Sequence, residues 1–229
     1  MDYIYTAFHQ SHKDGTPLLH PIWFKYPKDA NTFGIDLQFF YGDSILVSPV
    51  TQEGATSVSV YLPKDIFYDF VTLSPVQGTG STVTLSNITL TQIPVHIKGG
   101  AVLPLRAKSA MTTTQLRKTD FEFIVAPDLH DEASGNLYVD DGDSISQKST
   151  TEVSMRYKSG TLAVTGQFGY ALGVNVSRVR FLGVKKSPKA VMANGKAVLA
   201  SGYSYDSTSK VLDVTIGQPF TKGLTVQYL

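Results

Sequence analysis

The chain has 229 residues, with 20 Lys+Arg against 19 Asp+Glu, and its net charge of +1 gives no electrostatic reason to expect nucleic acid or an anionic membrane as a partner. The absence of cysteine excludes a disulfide framework, a thiol nucleophile and a cysteine zinc site. A hydrophobic fraction of 42% with 17% charged residues describes a folded protein, and no run of about 18 apolar residues predicts a transmembrane span.

The chain opens with a predicted helix. Tyr3, Ile4, Ala7 and Phe8 recur at helical spacing, and Gly15 provides a stop. The same segment lacks the basic start, the continuous apolar stretch and the small-residue cleavage site of a signal peptide. A helix with a full apolar face needs a packing surface, and the short segment behind it is too small to supply all of it. We therefore expect this helix to be the end of a larger domain.

The residues after the helix predict one strand and one further helix. The mostly apolar run 17–24 indicates a buried strand of the kind found in parallel sheets. A turn cluster follows at 27–32. Asp36 is then in position to cap a short helix that extends to Tyr41. The first helix and the strand together indicate part of an α/β unit.

From Gly42 onward the pattern predicts all-β structure. Short runs rich in β-branched and aromatic residues recur with turn residues between them, which is typical of sandwiches and barrels. The Asn194-Gly195 pair predicts a two-residue hairpin, and the polar stretch 107–118 is the best boundary between two β modules. The predicted strands are 45–50, 57–62, 67–71, 82–85, 94–97, 101–105, 121–126, 136–139, 152–157, 161–165, 174–181, 189–193, 197–199, 210–216 and 224–228.

Two acidic clusters are candidate binding sites. The run Asp140-Asp141-Gly142-Asp143 suits calcium binding or acid–base chemistry. It lacks the longer ligand ladder and the distal Glu of a calcium loop, however, and it follows an alternating strand, so a hairpin turn is favoured. The segment 128–132 combines Asp, His and Glu, but it has no helical i,i+4 geometry, so a solvated turn is favoured over a metal site.

The five histidines do not pair at metal-ligand spacing with a third ligand nearby. His9 and His12 share one face of the first helix, where a surface or interface position is favoured. His20 and His96 lie in apolar strands, as expected of core histidines. No Gly-x-Ser-x-Gly nucleophile motif and no phosphate-binding glycine loop are present. The residues alone therefore assign no catalytic, cofactor-binding or metal-binding residue.

Two sequons are candidates for N-glycosylation. Asn87 begins an Asn-Ile-Thr triplet, and Asn175 begins an Asn-Val-Ser triplet. A Ser/Thr-rich chain of this length contains such triplets by chance, so they favour a secretory location only modestly.

A series of short motifs lies in order along essentially the whole chain. They are YIYTAFH at 3–9, GTP at 15–17, HPIW at 20–23, FKYPKD at 24–29, DLQF at 36–39, GDSILVSPV at 42–50, VYLP at 60–63, FYD at 67–69, IPVHIKGG at 93–100, TTT at 112–114, SGNLYVDDG at 134–142 and KVLD at 210–213. Read together, they resemble glycoside hydrolase family 31, the α-glucosidases of the acid α-glucosidase and maltase–glucoamylase type, and most of all the secreted fungal enzymes. His20 and Lys98 stand where the family usually has Arg.

The resemblance implies a mainly β architecture. Residues 1–41 would be the last helix and strand of a (β/α)8 barrel, followed by a proximal antiparallel β-sandwich at 42–110 and a distal one at 111–229. It also implies a retaining mechanism, in which one Asp is the nucleophile and another the acid and base, with their carboxyl groups roughly 5–5.5 Å apart. The family's nucleophile and acid/base motifs, its subsite Arg and its Arg-Asn-His pattern have no match in this chain. No residue here is therefore expected to be catalytic.

The resemblance predicts the C-terminal subunit or fragment of an α-glucosidase. A larger N-terminal subunit would carry the catalytic residues, and this chain would complete and support the barrel while being inactive alone. The implied reaction releases terminal, mainly 1,4-linked α-glucose from the non-reducing end of malto-oligosaccharides, and transfer of glucose to sugars is left open. No cofactor is expected, and the expected location is extracellular or, alternatively, an endomembrane lumen. The alternative hypothesis is a free-standing carbohydrate-binding β-sandwich protein without catalytic activity.

Overall fold

A computed structural model describes residues 1–229 and shows a mainly β molecule with three sheets. The predicted opening helix is confirmed: α1 spans Asp2–Asp14, and Gly15 ends it at φ 77° with its N–H donating to Ser11 O at 2.8 Å. No helix is long and apolar enough to cross a membrane. The remaining helices are single turns, namely α2 (Ile22–Lys25), α3 (Thr113–Leu116) and two 3-10 helices (Ala30–Thr32 and Ala200–Gly202).

The predicted buried strand at 17–24 is wrong in extent and in kind. Strand β1 spans only Leu19–Pro21, and it pairs antiparallel with β2, which spans Phe39–Tyr41. The proline that ends β1 has no N–H to donate to a ladder, and α2 begins at the next residue. Leu19 and Trp23 are both exposed. β1 is therefore the short edge strand of an antiparallel sheet.

The predicted helix between Asp36 and Tyr41 is also wrong, because Phe39–Tyr41 form β2 and the residues from 36 to 38 belong to no helix. This strand pairs on both sides, with β1 and with β3 (Ile45–Val47), and its aromatic residues favour strands. The side-chain cap in this region belongs instead to Asp29, whose carboxylate accepts the N–H of Asn31 at 3.2 Å. Long-range strand pairing thus overrides the local capping signal.

The first β module packs a six-stranded antiparallel sheet against a two-stranded ribbon. Its further strands are β4 (Ser57–Leu62), β5 (Ile66–Asp69), β6 (Pro75–Gln77), β7 (Ser81–Ser86) and β8 (Val95–Lys98). The sheet has the order β1-β2-β3-β8-β5-β6, and β4 pairs with β7 in the ribbon. Phe40 and Phe67 from the sheet, Val60 and Leu62 from the ribbon and Ile22 from α2 share one buried core.

The second β module is one eleven-stranded sheet that curls around its own core. Its strands are β9 (Ala101–Arg106), β10 (Phe121–Ala126), β11 (Glu132–Val139), β12 (Thr151–Lys158), β13 (Thr161–Phe168), β14 (Asn175–Phe181), β15 (Val191–Ala193), β16 (Lys196–Ala197), β17 (Tyr203–Asp206), β18 (Val211–Pro219) and β19 (Leu224–Tyr228). The order is β16-β15-β19-β13-β12-β11-β9-β10-β14-β18-β17. Phe181 of β14 meets Tyr157 of β12 and Tyr228 of β19, with ring centroids 5.8 and 5.1 Å apart. Strands that are distant in the sheet order therefore face each other, as in a sandwich. The prediction that this module is wholly antiparallel is wrong, because β10 pairs parallel with β14 and β9 pairs parallel with β11.

The predicted hairpin between β15 and β16 is confirmed. Asn194 and Gly195 are its two loop residues, and both have positive φ, 50° and 75°. Two positive φ values in a two-residue loop are what the favoured hairpin turn requires.

The chain passes from the first sheet to the second at Gly99-Gly100. A Cβ on Gly99 would lie 2.4 Å from Ile66 Cγ2 and 2.9 Å from Pro127 O, so the two modules meet closely there. β9 follows at once and pairs with β10 and β11. The stretch 107–118 connects β9 to β10 within the second sheet, and the predicted domain limits stay a prediction.

Candidate functional site on the N-terminal helix

The first turn of α1 is fixed to the second sheet by a buried ion pair. Arg106 in β9 donates two hydrogen bonds to the Asp2 carboxylate, Nε to Oδ2 at 2.9 Å and Nη2 to Oδ1 at 2.6 Å. Its Nη1 donates to the backbone oxygens of Arg117 and Thr119 at 3.1 and 2.7 Å, and its guanidinium lies 3.9 Å from the centre of the Phe121 ring. Arg106 thus joins α1, the α3 region and the core at one point.

Burial alone would raise the pKa of Asp2, because it disfavours the charged carboxylate. The hydrogen bonds from Arg106 and its positive charge act in the opposite direction and outweigh burial, so the pKa of Asp2 lies below its ordinary value of 3.8. The carboxylate is therefore ionised at neutral pH, and the pair is a charged one.

We expect this pair to make the attachment of α1 sensitive to acid. A carboxyl group whose folded-state pKa is depressed contributes stability above its unfolded pKa, here 3.8, and loses it as the pH falls through the lower folded-state value. Hydrogen exchange of the α1 amides, corrected for intrinsic exchange rates, should show more frequent opening as the pH falls below about 4. Asp2→Asn should remove this extra pH dependence. Equal pH dependence in both proteins would contradict the prediction.

The second and third turns of α1 continue the contact with polar groups. The Tyr5 hydroxyl donates to the Asp140 carboxylate, 2.8 Å from Oδ2, and the Tyr138 N–H donates to Thr6 Oγ1 at 3.0 Å. Asp140 also forms an ion pair with Arg117 at 3.8 Å. The acidic residue that the sequence offered as a calcium or acid–base candidate is therefore a structural acceptor beneath α1.

His9 lies between α1 and the second sheet, whereas His12 is exposed. The His9 ring stacks on Tyr138, with centroids 3.5 Å apart and planes 8° apart. Burial and then the nearby Lys13 charge lower the pKa of His9, which favours the neutral ring that stacks. Lys13 donates to Glu152 at 3.1 Å, and this is the last of the polar contacts between α1 and the second sheet. The structure thus gives one of the paired histidines an interface position and the other a surface position.

Several large apolar side chains on α1, on α2 and next to them are largely open to solvent. Phe8 on α1 is 56% exposed, although the sequence predicts an apolar packing face there. Trp23 and Phe24 of α2 are each 44% exposed. We define the N-terminal apolar surface as these exposed side chains together with three more: Met1, Leu19 and Leu37. Within the 229 residues, α1 is held by its polar side, and on its apolar side Tyr3 packs against the first β module, Ile4 and Ala7 are part-buried, and Phe8 is left exposed.

The two core histidines are buried as predicted. His20 in β1 is buried and stacks on Phe24, with centroids 4.6 Å apart. His96 in β8 is also buried, and burial lowers its pKa despite the opposing charge of Asp69. Neither belongs to a group of three His, Asp or Glu side chains that could hold a metal ion, and no such group is present.

The remaining acidic candidates stabilise turns. Asp141 accepts the N–H groups of Asp143 and Ser144 at 3.0 and 2.9 Å, and the hydrogen bonds from Ser144 and these amides hold its pKa well below the usual range. Asp128 accepts the N–H groups of His130 and Glu132 at 2.8 and 3.0 Å. The favoured turn interpretation is therefore confirmed for the cluster at 128–132, whereas the Asp140–Asp143 run lies in the loop 140–150 between β11 and β12 and does not form a tight Asp-Gly hairpin.

Two clefts on the surface of the chain do not form a glycosidase active site. A cleft of about 410 Å³ contains Asp128 and Glu132. The first accepts backbone N–H groups, and the second is paired with Lys158 at 2.7 Å. A larger cleft of about 500 Å³ beside the Asn194-Gly195 hairpin has no acidic side chain in its lining. Neither offers the free pair of carboxyl groups that glycoside hydrolysis uses.

Comparison with known proteins assigns the chain to a family. Residues 15–103 match the model of the glycosyl hydrolase family 31 C-terminal domain. The chain is 50% identical over 215 residues to a probable alpha/beta-glucosidase agdC of Neosartorya fischeri, covering 94% of this chain and 24% of that protein. It is 32% identical over 227 residues to an alpha-glucosidase of Aspergillus niger, covering 97% and 23%. The chain thus spans about a quarter of these relatives.

Solved structures agree with this assignment over the full chain. The glucosidase II alpha subunit in its alpha3-Glc2-bound form aligns with a TM-score of 0.84 and 26% identity, covering 100% of this chain and 27% of that one. A dextranase of Flavobacterium johnsoniae aligns with a TM-score of 0.76 at 22% identity, which supports the fold alone, and covers 99% and 31%. The chain therefore belongs to glycoside hydrolase family 31, and it corresponds to the C-terminal region of these enzymes.

Proposed function

We propose that this chain completes and supports the catalytic (β/α)8 barrel of a retaining α-glucosidase. In this proposal α1 belongs to the end of the barrel, β1 and β2 belong to the sheet of the first β module, and the N-terminal apolar surface packs against the rest of the barrel. The observation that carries the proposal is the orientation of α1. Its polar side is anchored to the second sheet through Asp2, Tyr5 and Lys13, while Phe8 is exposed, as are Trp23 and Phe24 of α2. An exposed set of large apolar side chains is typical of a surface that another part of the protein covers.

The catalytic aspartates are proposed to lie in a larger N-terminal subunit of the same enzyme. A retaining glycosidase needs two carboxyl groups about 5–5.5 Å apart. In this chain the acidic side chains of the candidate clusters are engaged in turns and ion pairs, as Asp128, Asp140 and Asp141 illustrate. Support of the barrel is therefore the role that the fold favours for this region.

The proposed reaction is the release of terminal α-linked glucose, mainly 1,4-linked, from malto-oligosaccharides. Fungal relatives carry the names alpha-glucosidase and alpha/beta-glucosidase, which supports a glucoside as substrate and makes both anomers worth assaying. The covalent intermediate of a retaining enzyme also allows transfer of glucose to a sugar acceptor in place of water. We propose an extracellular location, as for a secreted enzyme that degrades oligosaccharides.

We expect the isolated chain to be inactive and its complex with the N-terminal subunit to hydrolyse maltose and p-nitrophenyl α-glucoside. The p-nitrophenyl β-glucoside tests the other anomer. Trp23→Ser should weaken assembly by about tenfold or more, because a large aromatic anchor is removed from the interface. Ile145→Ser is the matched control, since Ile145 is fully exposed on a loop of the second module.

Hydrolysis by the chain alone would overturn the proposal. Binding of malto-oligosaccharides by a monodisperse isolated chain that does not assemble with the N-terminal subunit would favour the carbohydrate-binding alternative instead. Equal assembly by the Trp23→Ser and Ile145→Ser variants would contradict the role of the N-terminal apolar surface.

A further inference from the structure

The ribbon strand β7 has an unprotected edge. It pairs only with β4, and five of its six residues, Ser81–Ser86, are exposed. No Asp, Glu, Lys or Arg occurs between residues 70 and 97, so neither β7 nor its flanking turns carry a charge. Natural edge strands usually avoid pairing with other chains through charges, prolines or a cover. β7 has none of these within its own sequence.

Asn87 follows this strand directly. It is exposed and lies in the left-handed region at φ 61°, where the chain turns away from β7. Thr89, the hydroxyl residue of its sequon, is exposed as well, and the next residue, Leu90, is fully exposed. The acceptor triplet therefore lies in a surface turn at the end of the open edge.

Asn175 occupies a different environment. It is part-buried at the start of β14, a strand that is paired on both sides, with β10 and β18. Its N–H donates to Asp120 Oδ1 at 2.9 Å, and the hydroxyl of Ser177 donates to Phe121 O at 3.2 Å. The neighbouring Val176 is buried in the core. The backbone N–H of Asn175 and the hydroxyl of Ser177 are thus engaged, and the Asn itself begins a strand that is paired on both sides.

We propose that Asn87 carries an N-linked glycan, that Asn175 does not, and that this glycan shields the open edge of β7. The inference rests on the extracellular location given under the proposed function. The donor is an oligosaccharide linked to a lipid diphosphate. Nδ2 of Asn87 forms a bond to the anomeric carbon, the bond from that carbon to the diphosphate oxygen breaks, the lipid diphosphate leaves with the electron pair, and a base of the transferase takes the Nδ2 proton. A glycan is bulky and solubilising, so it keeps other chains from pairing with this edge, as charged side chains do on other edge strands.

Glycopeptide mapping tests the site. The full-length enzyme is purified from its source organism, and its glycans are removed by peptide N-glycosidase in heavy-oxygen water, which labels each formerly glycosylated Asn. We expect the label at residue 87 and none at residue 175. An unlabelled residue 87, or a label at residue 175, would overturn the assignment. Glucosidase activity is measured on the same preparation, so failure of the glycan assignment and failure of the proposed function are separate results.

Aggregation of secreted variants tests the role of the glycan. Asn87→Gln and Thr89→Ala both abolish the sequon, and each should aggregate several-fold faster by light scattering than the parent. Thr89→Ser keeps the sequon and should behave as the parent, and Asn175→Gln should also do so. A charge on the edge, Thr84→Lys added to Asn87→Gln, should restore slow aggregation. Unchanged aggregation of both sequon variants, or no rescue by the lysine, would contradict the shielding role.

Discussion

Replacing Arg106 by Met is expected to destabilise the attachment of α1 by about 3–5 kcal/mol, the cost of leaving a buried charge without its partner. Asp2 and Arg106 have side chains that are only 7% and 3% exposed, so water cannot take the place of the lost guanidinium. The substitution also leaves the backbone oxygens of Arg117 and Thr119 without their donor. Hydrogen exchange of the α1 amides measures the effect, because it reports the opening of this helix itself.

Two variants make this measurement specific. In the Asp2→Asn, Arg106→Met double variant the buried charge is absent, so the loss should be smaller than in Arg106→Met alone. Lys158→Met removes the exposed pair with Glu132 and should change stability far less than Arg106→Met does, because solvent screens an exposed pair. An Arg106→Met variant as stable as Lys158→Met would refute the anchoring role of Arg106.

Phe181→Ala is expected to lower the free energy of unfolding of the second module by about 3–5 kcal/mol. Phe181 is fully buried, and its ring lies between Tyr157 and Tyr228 in the core that the curled sheet encloses. Its removal leaves a cavity between strands that are not paired with one another in the sheet. Denaturant unfolding followed by near-ultraviolet circular dichroism, which reports on the packed tyrosines, measures the change.

Phe181→Leu is the matched control, since it keeps an apolar side chain in the same space. It should cost less than about 1.5 kcal/mol if the core repacks around the smaller group. Equal losses for the Ala and Leu variants would indicate that the aromatic contacts, and not the filled volume, hold the two halves of the sheet together.

The local elements of this fold could be predicted from the sequence, whereas the long-range ones could not. α1 has helical spacing and a glycine stop, and the Asn194-Gly195 turn has two residues that accept positive φ. Both signals lie within the element that they specify. β1 and β2 are three residues each, and their existence depends on pairing between Leu19 and Tyr41 across an intervening turn. The pattern of residues 17–24 therefore predicts a buried strand, and that of 36–41 predicts a helix. Neither pattern contains the pairing partner that decides the structure.

The anchoring of α1 had no local signal at all. Asp2 and Arg106 are 104 residues apart, and Tyr5 and Asp140 are 135 apart. Neither pair forms a motif, and the apolar residues of α1 predict a packing surface on the opposite face of the helix. The family, in contrast, could be recognised because its motifs are preserved in order along the chain. The motif SGNLYVDDG contains Tyr138 and Asp140, two of the residues that form hydrogen bonds with α1.

The change of sheet at Gly99-Gly100 determines where chimaeras of related enzymes should be joined. A crossover at this pair keeps β9 with its hydrogen-bonded neighbours, whereas a crossover near residue 110 would take β9 from one parent and both of its partner strands from another. The glycine pair itself must be retained, since Gly99 has no room for a Cβ. A grafted second module must also bring an arginine that matches the acid at position 2 of the recipient. Recombination of these modules therefore depends on the glycine junction and on the row of polar contacts between α1 and the second sheet.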